Sequence, residues 1–381
     1  MLTLNYAPSL FPGINITTPK TQGIKYAGSK LKLLPHIISL LDGLEVQTIF
    51  DGFAGTTRVS QAFAQLGYKI TLSDISDWSY VLGVCYLQNQ NSPSYYNELI
   101  EHLNSIKGRD GWFTKHYGGM VGDDDSAIQK DGSKKPWQIH NTRKLDAIRD
   151  AIDDLELSEV ERAVALTSLL LAMDVVDSTL GHFTSYLKKW SFRSFKDMRL
   201  QVPNLFVNDK DNIVIKDDIF NANKIVEADF AYFDPPYGSN NEKMPPSRIR
   251  YASYYHLWTT IIKNDKPELF GRAMRRKDSS DRVAASVFEE FRKDESGNYI
   301  AVNSIDKLIE NANVRYVALS YSSGGRAISE QLNTVLTKHG KLIKTIELDY
   351  RKNVMADMKW TNEWLKDTQE PNREFIFLIE K

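Results

Sequence analysis

The sequence predicts an α/β fold: a seven-stranded sheet flanked by helices, with a mostly helical subdomain inserted into it. Three observations predict it. A β-rich apolar run, Asp229 to Phe233, ends abruptly in Asp234-Pro235-Pro236-Tyr237. A strand, a glycine-bearing loop, a helix and a second strand closing on an acid follow one another between Thr48 and Asp74. About 125 residues, 75–200, then intervene before the next sheet strand, too many for a bare connection.

In chain order, residues 1–23 read as irregular, with Pro8, Pro12, Gly13 and Pro19. Lys25 to Lys30 leads into an apolar helix expected over Leu31 to Leu41, and Gly28 and Ser29 make a helix entrance where backbone N–H groups meet a carboxylate or simply cap the helix. Thr48-Ile49-Phe50 is the first sheet strand. The loop Asp51 to Thr57 precedes a helix whose Val59, Ala62, Phe63 and Leu66 share one face and which Gly67 ends. Tyr68 to Asp74 is the second strand, and Asp74 lies 19 residues beyond Gly55. This is βαβ nucleotide-binding logic, with glycine for close approach and an acid for ribose hydroxyls. No GxGxxG and no phosphate-cradling run is present, which points to a nucleoside without phosphates rather than a dinucleotide. A purely structural turn with an incidental Asp74 is the competing reading.

Within 75–200, Leu145, Ile148, Ile152 and Leu155 mark an amphipathic helix. Ser158 with Glu161 forms a capping box ahead of an apolar helix, Ala163 to Met173. Trp112 to Trp137 reads as a loop or exposed hairpin. Phe183 to Arg199 interleaves Lys188, Lys189, Arg193, Lys196 and Arg199 with five aromatics, the residue types that contact phosphates and stack on bases. A solvated helix face with buried aromatics is the plainer alternative.

A third strand is expected over Asn212 to Phe220, its end carrying Asp218 and Ile219, an acid and an apolar wall for an adenine ring. The fourth is Asp229 to Phe233. Two prolines offer no ladder N–H and fix φ, so the strand stops in a stiff turn at the edge where open α/β sheets bind ligands. Asp234 and the Pro235 carbonyl suit the amino group of a planar base, and Tyr237 suits its ring. Residues 238–250 read as loop, followed by a tyrosine-rich helix from Tyr251 in which His256 is a surface or capping residue. Residues 271–282 carry Arg272, Arg275, Arg276, Lys277 and Arg282 against two acids, a phosphate-facing or merely solvated loop. Val314–Tyr321, Leu342–Tyr350 and Glu374–Glu380 complete seven strands.

Hydrophobic content of 42% with 25% charged residues describes a soluble globular chain, and no apolar run approaches a membrane span. The start lacks the basic region and apolar core of a signal peptide. Cys85 is the one cysteine, which excludes an internal disulfide and a cysteine-based zinc site and fits a cytoplasmic setting. The formal net charge of −1 means that any nucleic-acid contact comes from local patches.

On these residues the chain resembles the Dam-like, D12 class DNA adenine-N6 methyltransferases. Lys25 to Lys30 is similar to the family's N-terminal cofactor motif, which brings in Tyr26, Gly28 and Lys30. Asp51 to Gly55 is similar to its Asp-x-Phe-x-Gly motif, with Asp51, Phe53 and Gly55. Asp74, followed by Ile75, matches the ribose-binding acid; Asp218 and Ile219 match the adenine-flanking pair; Asp234 to Tyr237 match the catalytic tetrapeptide. Thr57 stands where a second glycine is common. The resemblance implies a Rossmann-like sheet with one antiparallel strand near an edge. It implies S-adenosylmethionine as cofactor, no metal, and double-stranded DNA as substrate, with adenine flipped out for transfer. It also makes 75–200 the target-recognition region between catalytic segments 1–74 and 201–381, and a cognate restriction endonuclease a possible partner. Cytosine-N4 methylation, where serine is usual in place of Asp234, RNA or protein methylation, and a silent DNA-binding protein are the alternatives.

Overall fold

The computed structural model describes residues 6–7, 18–238, 251–280, 284–349 and 373–381. Most of the irregular start, the loop 239–250, Arg282, Tyr350 and the stretch 351–372 lie outside the described residues.

Seven strands form one sheet. They are β1 (Thr48–Asp51), β2 (Lys69–Ser73), β3 (Ile213–Ile215), β4 (Glu227–Phe233), β5 (Asn313–Ser322), β6 (Lys341–Asp349) and β7 (Arg373–Glu380). Their order is β6-β7-β5-β4-β1-β2-β3, with β7 antiparallel to both neighbours and the pairs from β5 to β3 parallel. Chain order reverses between β1 and β4, so the C-terminal ends of these two adjacent strands open a crevice.

β4 reads as continuously apolar because both its faces are covered. Phe230 and Tyr232 pack into one core with Leu33, Ile37, Phe63 and Leu72. Ala231 and Phe233 pack into the opposite core with Ile305, Leu308, Leu332 and Phe377. Helix α1 (Arg58–Gln65) serves the first layer.

A third core belongs to the helices after β2: α2 (Asp77–Leu87), α3 (Ile139–Asp154) and α4 (Glu159–Val175). Ser158 and Glu161 close the capping box at the start of α4. This core also takes Leu257, Trp258 and Ile261 from α6 (His256–Lys263), far along the chain. Conversely, α2 packs back on the sheet: a Cβ on Gly83 would lie 2.9 Å from Val214 and 3.1 Å from Leu72. The helical layer and the sheet therefore share elements across residues 75 and 200.

Several elements differ from expectation. The helix after Lys30 is broken into a 3-10 turn, Lys30–Lys32, an α-turn, Leu34–Ile38, and a second 3-10 turn, Ser39–Leu41. Pro35 can begin an α-helix but cannot continue one. The third strand is only three residues long, and Asp218 caps helix α5 (Ile219–Ile225) by accepting from Phe220 N. Trp112–Tyr117 is helical, and Gly118–Gly119 pairs in parallel with Trp137–Gln138. His256 is fully buried, with Nε2 3.1 Å from the Phe183 carbonyl, and burial pushes it down to about 3; it is not a surface residue. Among the described residues, no helix is long and apolar enough to cross a membrane.

Candidate active site

Burying the strands on both faces leaves their C-terminal ends as the place where polar groups meet. One cavity of about 490 Å³ lies there. Its lining includes Tyr26, Gly28, Lys30, Asp51, Phe53, Gly55, Asp74, Ile75, Asp218 and Ile219, together with Asp234 and Pro236 from the turn after β4. Pro235 is buried and Tyr237 half-buried, and neither side chain lines the cavity.

The loop after β1 is shaped by its residue types. Gly55 adopts φ +51°, a left-handed conformation that glycine reaches without penalty, and its N–H donates to Asp74 Oδ2 at 2.8 Å. Ser76 N donates to Asp74 Oδ1 at 2.8 Å. Both oxygens are fixed by backbone amides, yet a carboxylate has about four acceptor positions, so Asp74 can still accept from a ligand hydroxyl. Gly52 has a different reason: a Cβ there would stand 2.6 Å from the Phe233 ring and 2.8 Å from Ile219, so packing at the cavity floor requires glycine. Thr57 also holds a left-handed backbone, φ 59°, where glycine would be unstrained. Gln61 Nε2 donates to its hydroxyl at 2.9 Å.

Asp51 is nearly inaccessible. Ser60 donates to its Oδ2 at 2.6 Å, while Oδ1 has no hydrogen-bond partner among the described residues. Burial pushes this carboxyl up to about 7, against the pull of Ser60 and the nearby Phe53 amide. Tyr26 is caged by Trp78, Tyr251 and Tyr255 at ring-centroid distances of 5.3, 5.3 and 4.9 Å. Phe53 meets Phe288 edge to face at 5.3 Å, and Phe288 stacks on Phe220 at 5.5 Å.

At the turn, the described residues hold the Asp234 carboxylate on one side. Lys30 Nζ lies 3.1 Å from its Oδ1, and the Tyr237 hydroxyl donates to the same oxygen. Oδ2 receives no hydrogen bond among the described residues. Lys30 Nζ also donates to Tyr237 Oη at 2.5 Å and to Glu374 Oε1 at 2.7 Å. Burial pushes Asp234 up to about 6; Lys30 opposes this and Glu374 adds to it. Burial tends to lower Lys30, but Asp234 and Glu374 outweigh it and keep the ammonium charged. Tyr237 is raised by burial and by both carboxylates, so it stays a neutral donor. Its ring rests against Tyr321 at 4.8 Å.

The basic-aromatic stretch divides. Phe183, Tyr186 and Trp190 are buried, while Phe192 is 86% exposed and Phe195 is 43% exposed. Lys188, Lys189, Lys196 and Arg199 are exposed, Arg199 with a 3.4 Å contact to Glu101. Arg193 is half-buried, 2.6 Å from the buried Asp177, which also takes Lys25 Nζ at 2.6 Å. Arg275 lies over the Phe270 ring at 4.6 Å. Arg276 is 3% exposed and is committed to Asp265 and Asp278. A guanidinium so enclosed has nothing to offer a phosphate, and Arg276 leaves the phosphate-facing set for that reason.

Sequence reasoning missed Glu374, Ser320 and Phe288. Glu374 sits beside Arg373 at the start of the last strand, where charged residues are ordinary, so no local signal marked it. Phe288 follows the largely apolar run Val283 to Val287 and precedes two glutamates, a pattern that marks no site.

The seven-stranded, mostly parallel sheet with flanking helices is consistent with a methyltransferase fold. The chain matches the sequence profile of the D12 class N6 adenine-specific DNA methyltransferases over residues 26–322, and it belongs to that family. It is 28% identical over 349 residues to modification methylase StsI of Streptococcus sanguinis, covering 86% of this chain and 48% of that protein. It is 25% identical over 378 residues to the type II methyltransferase M.FokI of Planomicrobium okeanokoites, covering 94% and 53%. The type II methyltransferase M.NlaIII of Neisseria lactamica is 25% identical over 339 residues, with 86% of this chain and 92% of that protein covered. The chain thus spans about half the length of the first two relatives and nearly all of the third. Family membership implies a methyl donor.

Proposed function

We propose that this chain transfers a methyl group from S-adenosylmethionine to the N6 amino group of adenine in double-stranded DNA. The observation that carries the reading is the half-held carboxylate of Asp234, with Oδ2 open, in the same cavity as the glycine loop and Asp74.

The residues present suit the cofactor. Asp51 supplies a buried carboxylate oxygen without a partner, a place for the ammonium of an amino acid. Asp74 offers acceptor positions for ribose hydroxyls, and Asp218 and Ile219 offer an acid and a wall for an adenine ring. When bound, S-adenosylmethionine supplies a methyl group already activated by the sulfonium charge.

The chain's own task is to make a poor nucleophile reactive. An exocyclic amine conjugated to a purine ring gains nucleophilicity when its N–H groups are drawn out of plane. Asp234 Oδ2 accepts one N–H, and the Pro235 carbonyl, which meets no donor among the described residues, accepts the other. Lys30 and Tyr237 fix Oδ1 so that the acceptor is in place before the amine arrives. The target amine is paired inside a duplex, so the base has to leave the stack, at a cost of about a few kcal/mol. Lys188, Lys189 and Lys196 with Phe192 and Phe195 form an exposed basic-aromatic strip suited to phosphates and an opened base step. Target recognition is assigned to 75–200, and the names of the relatives suggest a modification role beside a restriction endonuclease.

The test is incubation with labelled S-adenosylmethionine and a panel of duplex DNA, RNA and protein, followed by sequencing of modified bases. N6-methyladenine in duplex DNA is expected, and Asp234→Ala should abolish it. Label in RNA or protein, N4-methylcytosine, or full activity of Asp234→Ala would each overturn the reading.

A further inference from the structure

The interior side of the site holds a feature that lies outside the matched segment 26–322. Glu374 opens the apolar part of β7, the antiparallel strand, and is only 5% exposed. Three donors converge on its Oε1: Lys30 Nζ at 2.7 Å, the Tyr237 hydroxyl at 2.7 Å and the Ser320 hydroxyl at 3.0 Å. Two of the three are the groups that hold Asp234.

A buried carboxylate costs stability unless its partners compensate. Here the partners are themselves in demand. An ammonium has three protons, and Lys30 directs them to Asp234, Tyr237 and Glu374. A phenol has one proton, and that of Tyr237 lies within reach of both carboxylates. Were Glu374 absent, Lys30 would face Asp234 alone. The unshared cation would draw electron density from the acceptor that the amine needs, and nothing would anchor it on the far side.

We infer that Glu374 is a positioning residue for transfer: it anchors Lys30 and Tyr237 so that Asp234 is gripped through Oδ1, stays electron-rich, and presents Oδ2 to the incoming amine. This rests on the methyl-transfer reading for its consequence but not for its geometry. The proton lost from the amine leaves through Oδ2 or to solvent, and Glu374 itself touches no reacting atom.

The groups facing Asp234 fix the expected direction. Among the described residues, Lys30 is the cation close to it, and Glu374, Asp51 and the phenols of Tyr26, Tyr232, Tyr237 and Tyr251 are other titratable neighbours. Removing the Glu374 charge takes away a like charge, so Asp234 ionises at lower pH and becomes a weaker acceptor.

The experiment compares wild type, Glu374→Gln and the double variant Lys30→Met/Glu374→Gln. Single-turnover methylation of duplex DNA is followed against pH, and the Asp234 carboxyl is titrated directly by 13C NMR, its resonance assigned by loss in Asp234→Asn. In Glu374→Gln the plateau rate should fall about 10-fold, the acidic limb should move down by about one pH unit, and S-adenosylmethionine affinity should stay within about twofold. In the double variant Asp234 has lost its cation and should titrate above wild type. A loss of rate with an unmoved limb would mean a structural role only and would overturn the inference. So would an Asp234 titration identical in all three proteins. Glu374→Gln keeps Lys30 paired with Asp234 and so leaves no unbalanced buried charge; in the double variant Asp234 alone remains, and protonation below its raised value relieves it. Should wild type prove inactive, the methylation reading falls while the NMR titration still judges the Glu374 geometry.

Discussion

Asp74 and Asp234 both stand just past the ends of parallel strands and both line one cavity, yet they are held in opposite ways. Asp74 is fixed through both oxygens by main-chain N–H groups, from Gly55 and Ser76. Among the described residues, Asp234 is fixed through a single oxygen by side chains, Lys30 and Tyr237, that Glu374 holds in turn. Amide anchors come with the backbone and carry no net charge, which suits an acid that marks a position. Charged side-chain anchors set the acceptor strength of the carboxylate and leave one face free, which suits an acid that works on a substrate.

The sharpest way to break this contrast is to neutralise each acid in turn. Asp234→Asn should lower the single-turnover methylation rate by about 1,000-fold or more, with S-adenosylmethionine affinity changed little, because the amide presents a weaker acceptor. Asp74→Asn should do the reverse: calorimetry should find binding weaker by about 10-fold to 100-fold, while the rate at saturating cofactor stays within about 10-fold of wild type. If both variants lost affinity alone, the division of labour between the two acids would be wrong.

The same contrast explains what could be read from the sequence. Asp74 and Gly55 are 19 residues apart in one βαβ unit, so spacing alone brought them together. The Asp234 turn was legible because two prolines force a strand to end. Its supports were not. Lys30 and Tyr237 are 207 residues apart and Lys30 and Glu374 are 344 apart. Contacts of that range follow from sheet order, and sheet order is set by packing that no local pattern encodes. Lys30 was therefore read from its local motif as a cofactor residue, and its side chain also reaches the Asp234 turn. Burial was equally hidden for Arg276 and His256, whose charge and polarity suggested the surface while their neighbours bury them.

A third acid, Asp51, sharpens the comparison through stability. It has one held oxygen and one without a partner among the described residues, and burial pushes it up to about 7 from an ordinary value of 3.8. A raised folded-state value means that Asp51 favours the folded state below its ordinary range and loses that contribution as pH rises through about 7. At pH 8 it costs on the order of a few kcal/mol. Asp51→Asn should then raise the thermal midpoint at pH 8 and bring no gain at pH 5. Equal midpoint shifts at the two pH values would show that Asp51 is not a buried charge awaiting a partner. Adding S-adenosylmethionine to wild type should close part of the gap at pH 8, because an ammonium at Oδ1 replaces the missing partner.

The smallest expected effect concerns the loop that joins the two anchoring schemes. Thr57 has φ 59°, and a β-branched residue pays about 1–2 kcal/mol for left-handed backbone. Thr57→Gly removes that strain but also removes the hydrogen bond from Gln61 and adds freedom to the unfolded chain, worth about 0.4–1 kcal/mol. These effects nearly cancel, so the thermal midpoint should move by only a few degrees. Thr57→Pro fixes φ near −65° and should instead destroy the turn and, with it, cofactor binding. If Thr57→Gly weakened S-adenosylmethionine binding as strongly as Asp74→Asn, then the Thr57 hydroxyl, rather than the amide-anchored acid, would be the group that holds the cofactor.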